Sequence, residues 1–212
     1  MFPRFSWSSC STLVSSAQYS SEKSSLALLG DRTPRRGTTK VKYHGDSDWD
    51  FYLDSNNEPI DLSLIMPHYR ARHQPVDHRM SMYAGSESEP IKLKVCRTIS
   101  RSRFYLEVQG SMSDVTIWLP SDFKGHIHHT GKAVFSAGFV NRIMRNVRLN
   151  EPARNPNEDE VVVVTQGQVI LRMWDVTTCS PENCTKEGLK RIFGCSKRAP
   201  ETGIDWDCLL RD

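Results

Sequence analysis

EVVVVTQGQVILRMW, residues 160–174, decides what kind of fold this chain forms. It is rich in valine, isoleucine and leucine, residues that suit a pleated, half-buried surface. Gly167 breaks it in the middle, so it predicts a strong pair of strands, 160–166 and 168–174. Upstream the same signal repeats. DVTIWLP (114–120) alternates Val115, Ile117 and Leu119 until Pro120 stops it. RFYLEVQG (103–110), IKLKVCRTI (91–99) and PIDLSLIMP (59–67) read the same way, and FKGHIHHTG, KAVFSAGF and NRIMRNVRLN supply further strands. Strands recurring about every 8–12 residues with turn residues between them indicate an all-β fold, either a stacked β-solenoid-like domain or a β-sandwich.

The borders of this region differ in tone. Residues 1–58 are Ser-rich and charged, without period two or 3.6, and predict a disordered or irregular N-terminal arm. Trp49, Phe51 and Tyr52 would let that arm dock onto the folded part. Asp46, Asp48 and Asp50 mimic the start of a calcium loop, but the sixth and twelfth positions hold Phe51 and Asn57 instead of glycine and glutamate. Residues 68–90, with His68, His73, His78 and two prolines, predict a long surface loop. Residues 59–178 form the β-rich domain, and 179–212 the tail. In the tail, 180–194 predicts one short helix, capped by Ser180 and Pro181 at its start and Gly194 at its end.

A chain of 212 residues accommodates one domain with appendages. Mean hydropathy is −0.51, which fits a folded centre with polar flanks. Net charge is +3 with acids and bases interspersed, so nucleic acid is not favoured as a partner. No apolar run approaches the ~20 residues needed to cross a bilayer, so a membrane is not favoured either. The N-terminus lacks the continuous apolar stretch of a secretory signal, and the expected location is intracellular, in the cytoplasm. Four of the six cysteines, Cys179, Cys184, Cys195 and Cys208, fall in the tail without a CxxC pair. They read as free thiols, or as a zinc or disulfide clip.

GHIHHT (125–130) holds three of the seven histidines. On a strand, His126 and His128 share one face and Ile127 takes the other. Ile127 then belongs to the core, and the two histidines to the solvent face. Two imidazoles projecting together are also a metal-binding device, so His126 and His128 are the candidate metal ligands; no third ligand is marked. In NRIMRNVRLN (141–150) the alternation groups Arg142, Met144, Asn146 and Arg148 on one face. Arg145 falls on the apolar side and reads as a solvated residue at a bend. With Arg97, Arg101 and Arg103 these arginines suggest an anionic partner surface as a minor reading.

No nucleophile elbow, phosphate loop or dinucleotide fingerprint occurs, so no catalytic residue and no cofactor is indicated. Ile117-Trp118-Leu119-Pro120, Phe135-Ser136-Ala137-Gly138-Phe139 and Val161 to Val169 resemble a fungal family known only as domain of unknown function 7330, abundant in mushroom-forming fungi. The resemblance spans roughly residues 59–178 and supplies no functional residues. The order of strand, Leu-Pro, spacer and HxHxTG is also similar to the repeats of bacterial putative-adhesin domains, which implies stacked β-strands. Together these readings give a non-catalytic, β-rich interaction module with an unidentified, preferably protein, partner. The alternatives are a metal-binding protein or metal-dependent enzyme using His126 and His128, and a weak binder of anionic surfaces.

Overall fold

A computed structural model describes residues 35–55, 58–97, 102–152, 158–183, 185 and 187. The chain divides into two units, Met1–Arg32 and Thr33–Asp212, and every described residue belongs to the second. No helix among the described residues is long and apolar enough to cross a membrane.

The fold is mostly β. Its strands are β1 (Arg36–Lys40), β2 (Phe51–Ser55), β3 (Ile60–Ile65), β4 (Met80–Ser86), β5 (Ile91–Cys96), β6 (Phe104–Gly110), β7 (Val115–Pro120), β8 (Gly125–His129), β9 (Lys132–Phe135), β10 (Val147–Leu149), β11 (Asp159–Thr165), β12 (Gln168–Asp175) and β13 (Ser180–Pro181). They form two sheets. One runs β1-β3-β5-β7-β12-β13, with β9 also pairing β12; the other runs β10-β8-β11-β6-β4-β2. From β1 to β10 the chain alternates between the sheets; each of β1 to β7 pairs with a strand two places away in sequence, as β8 does with β10. Every pairing is parallel except β12–β13.

Alternation decides which side chains meet. In the first sheet Leu62, Leu93, Ile117 and Leu171 stand in register, and in the second Met82, Leu106, Val161 and Ile127 do. All eight are fully buried within a single core cluster that draws on both sheets. Stacked identical positions of this kind exclude water from a continuous apolar column, the dominant favourable term in folding.

Several expectations are revised. The strands at 160–166 and 168–174 exist as β11 and β12, but they do not pair with each other. Gly167 turns the chain from one sheet into the other. β11 enters between β6 and β8, and β12 between β7 and β9. Thr165 holds this corner: its Oγ1 donates to the Ser113 carbonyl at 2.7 Å and accepts from Gly167 N at 2.9 Å. The stretch expected to be an irregular arm, 1–58, contributes β1 and β2, whose Phe51 and Leu53 are buried; residues 1–34 lie outside those described. The expected loop at 68–90 contains β4, with Met80, Met82 and Ala84 inward. NRIMRNVRLN is not one strand. A π-helical turn at Phe139–Ile143 and a 3-10 turn at Met144–Asn146 precede β10, and Arg145 is exposed there. Ser180 and Pro181, read as a helix start, form β13; Thr185 and Glu187 are helical, and the rest of 184–212 lies outside the described residues.

Gly125 opens β8 at φ +155°, a backbone conformation L side chains rarely adopt. A Cβ there would run into the Asp159 carbonyl of β11. Glycine is therefore required for β11 to lie against β8.

Candidate functional site

Among the described residues, the outer face of the six-stranded sheet carries the densest set of polar aromatics. Residues pointing away from the core align across strands: Tyr52 of β2 with Tyr83 of β4, and Tyr83 with Glu107 of β6. The Tyr52 and Tyr83 rings stack at 4.9 Å and 10°. Ser81, one pleat earlier on β4, is small. Trp49 lies over it, 5.5 Å from Tyr83 and 6.0 Å from Tyr105. Ser81 Oγ holds that turn by donating to the Asp48 carbonyl. The Arg79 guanidinium lies 5.1 Å from the Tyr105 ring and donates to Glu160 at 2.8 Å. The row Arg79–Tyr105–Trp49–Tyr83–Tyr52 thus crosses the face.

Hydrogen bonds tie the hydroxyls to carboxylates. Tyr105 donates to Glu107 at 2.8 Å, Gln109 to Glu107 at 2.6 Å, and Tyr83 to Gln109 at 3.3 Å. The Tyr52 hydroxyl lies 3.4 Å from Asp54. Burial pushes the Tyr83 phenol up to about 12, reinforced by Asp54, Tyr52 and Glu107. Tyr105 is raised as well, by burial and then by its bond to Glu107. Neutral tyrosines therefore face negative carboxylates. Beside them Val164 is 45% exposed and Val162 partly so. Gly85 leaves a notch: a Cβ there would lie 2.8 Å from the Tyr83 hydroxyl and 3.0 Å from an Asp54 oxygen. Sequence reasoning missed this face because Ser81 and Gly85 hide the period of β4.

His126 and His128 share the outward side of β8, their rings parallel with centroids 6.2 Å apart. Ile127 is buried in the core as expected, but His126 is only 1% exposed. β10 lies against β8 and places Arg148 beside it. Arg148 donates to Glu158 at 2.9 and 3.1 Å and to His126 Nε2 at 3.4 Å. The His126 Nδ1 donates to the Glu151 carbonyl at 3.3 Å. Both ring nitrogens are engaged, and Nε2 lies between the Arg148 guanidinium and a Glu158 oxygen 3.5 Å away. His128, less buried, lies 3.9 Å from Glu160. Among the described residues, no group of three His, Cys, Asp or Glu is placed to hold a metal ion.

Two other polar clusters fix loops. Asp50, the third carboxylate of the calcium reading, accepts from His44 N at 2.9 Å and Ser81 N at 2.9 Å, and pairs with His78 at 2.7 Å. Arg97, 2% exposed, pairs with Asp159 at 2.9 Å and Asp122 at 3.0 Å and donates to the Ser102 carbonyl. On the seven-stranded sheet Trp118 lies between Lys94, 5.2 Å from its ring, and Arg172, 5.7 Å away. A cavity of about 280 Å³ there is lined by Thr38, Ile65, His68, Cys96, Trp174 and Cys179 among others. Burial pushes the Cys96 thiol up to about 12. Cys96 and Cys179 are free thiols; Cys184, Cys195 and Cys208 lie outside the described residues.

These features define a β domain of two parallel sheets with an aromatic and acidic outer face. A family model described as Domain of unknown function (DUF7330) matches residues 38–155, and the chain belongs to that family. The match begins inside β1, so the domain extends further toward the N-terminus than residue 59. No curated protein and no solved structure matches the chain.

Proposed function

We propose that this domain is a non-catalytic interaction module built as a β-solenoid, with its binding surface on the outer face of the six-stranded sheet. The alternation of the chain between two parallel sheets supports the solenoid reading. The observation that carries the function is the Trp49–Tyr52–Tyr83–Tyr105 row, set among carboxylates and flanked by Val162 and Val164. Aromatic residues with a polar tip are the common anchors of protein interfaces. In-register stacking holds these rings still, so little side-chain entropy is lost when a partner arrives.

The test is affinity capture with the full chain and its Val164→Glu and Tyr83→Ala variants, followed by quantitative mass spectrometry. Proteins recovered with the native chain should drop out with both variants while circular dichroism stays unchanged. Equal recovery with all three chains removes this face from consideration.

A further inference from the structure

We infer that the open edge of β2 binds an extended peptide segment bearing arginine or lysine, which adds a strand to the six-stranded sheet and lays its cation on Tyr52 beside Asp54. This deepens the interaction reading above and rests on it. β2 ends its sheet, so one side of its backbone has no strand partner among the described residues. Such an edge is a template for another chain, and proteins commonly blunt it with charge, lysine above all. β1, the terminal strand of the other sheet, carries Arg36 and Lys40. β2 carries no base; its outward residues are Tyr52 and Asp54.

The molecule itself shows what this pair accepts. Arg79 lies on Tyr105 and pairs with Glu160. Lys94 lies on Trp118 and pairs with Asp61. Arg172 lies on the same Trp118 and pairs with Glu182. Arg97 lies 5.5 Å from the Phe104 ring and pairs with Asp159. Four times an aromatic ring, a carboxylate and a cation form one unit. At β2 the ring and the carboxylate are present, and no cation among the described residues pairs with Asp54. One face of the Tyr52 ring is covered by Tyr83, and the residue remains 49% exposed. A cation over an aromatic face with a carboxylate alongside satisfies both groups.

The experiment is fluorescence anisotropy of a labelled octapeptide alternating arginine and threonine, titrated with the full chain at low and moderate salt. A second peptide carries glutamine in place of arginine. The proposal expects saturable binding of the arginine peptide and about tenfold weaker binding of the glutamine peptide. It also expects about tenfold losses in each of Tyr52→Ala and Asp54→Asn, both outward-facing changes, with Tyr52→Leu as a second variant should Tyr52→Ala misfold. Arg145→Ala, an exposed change in the turn before β10 at the opposite edge of the sheet, should bind the peptide normally. No binding by the native chain overturns the proposal, as does binding indifferent to Tyr52 and Asp54. Sedimentation showing a dimer that Asp54→Lys dissolves also overturns it, because the occupant is then a second copy. If Val164→Glu and Tyr83→Ala abolish partner capture while the arginine peptide fails to bind, the face reading stands and the edge assignment falls.

Discussion

Arg97 ties the β5–β6 connection to two segments distant in sequence. It leaves the end of β5, pairs with Asp159 at the start of β11 and Asp122 between β7 and β8, and caps the Ser102 carbonyl before β6. Asp159 also accepts from Phe104 N at 3.2 Å. Burial raises the Asp159 carboxyl above its ordinary range, and Arg97 opposes that shift. Replacing Arg97 by methionine removes the opposing charge and strands a buried carboxylate. The expected cost is about 3–5 kcal/mol at pH 7, read by urea denaturation. The pH dependence carries the argument. A carboxyl raised in the folded state favours the protonated native form, so it stabilises at low pH and this contribution fades as pH rises through its folded value. The Arg97→Met penalty should therefore shrink as pH falls from 7 toward the ordinary carboxylate range. A penalty independent of pH assigns the loss to packing against Phe104 instead.

The strands were legible where apolar side chains alternate with polar ones, as in β3, β5, β7 and β12. They were hidden where small residues take the alternating positions: β4 reads Met-Ser-Met-Tyr-Ala-Gly-Ser, and only the in-register neighbours reveal its two faces. β1 and β2 were hidden because each is short and sits at an edge. The partners of β11 and β12 were illegible because local sequence does not encode pairing across 55 residues, as between Glu160 and Tyr105. His126 was misplaced for the same reason, since Arg148 and Glu158 cover it from outside its own strand. The tyrosine row, unseen in the sequence for want of that pairing, has a titration signature. Tyr83 is held neutral up to about 12 by burial and its acidic neighbours, against about 10 for a free phenol. A group raised in the folded state contributes stability that is intact below pH 10 and is lost as pH rises from 10 through 12. Ultraviolet titration should show a late phenolate phase near pH 12 whose amplitude Tyr83→Phe reduces, Tyr105 supplying the remainder. The same variant should weaken the alkaline decline in stability. A tyrosine spectrum completed near pH 10 in the folded chain contradicts the buried row.

At the scale of the whole molecule, the order of strands in space departs from the order in the chain. β8 pairs only with β10 and β11, and β9 only with β12. The turn β8–β9 is thus made first but joined to the β6–β7 turn only when β11 and β12 enter between them. Parallel pairings of such long separation delay folding, because loop-closure entropy is lost before contacts compensate. They also define a cooperative unit: loosening β11 and β12 releases β8, β9 and β10, whereas β1 to β7 keep their own pairings. Val163 and Leu171 are fully buried at the centre of the two inserted strands. Truncating both to alanine removes several buried methyl groups, with a Leu→Ala change alone costing about 2–5 kcal/mol. Native-state hydrogen exchange should then show faster exchange across β8, β9, β11 and β12, with β3, β4 and β5 still protected to nearly the native level. Equal acceleration in β3 to β5 would mean that the stack opens only as a whole and that the inserted turn is not a separate unit.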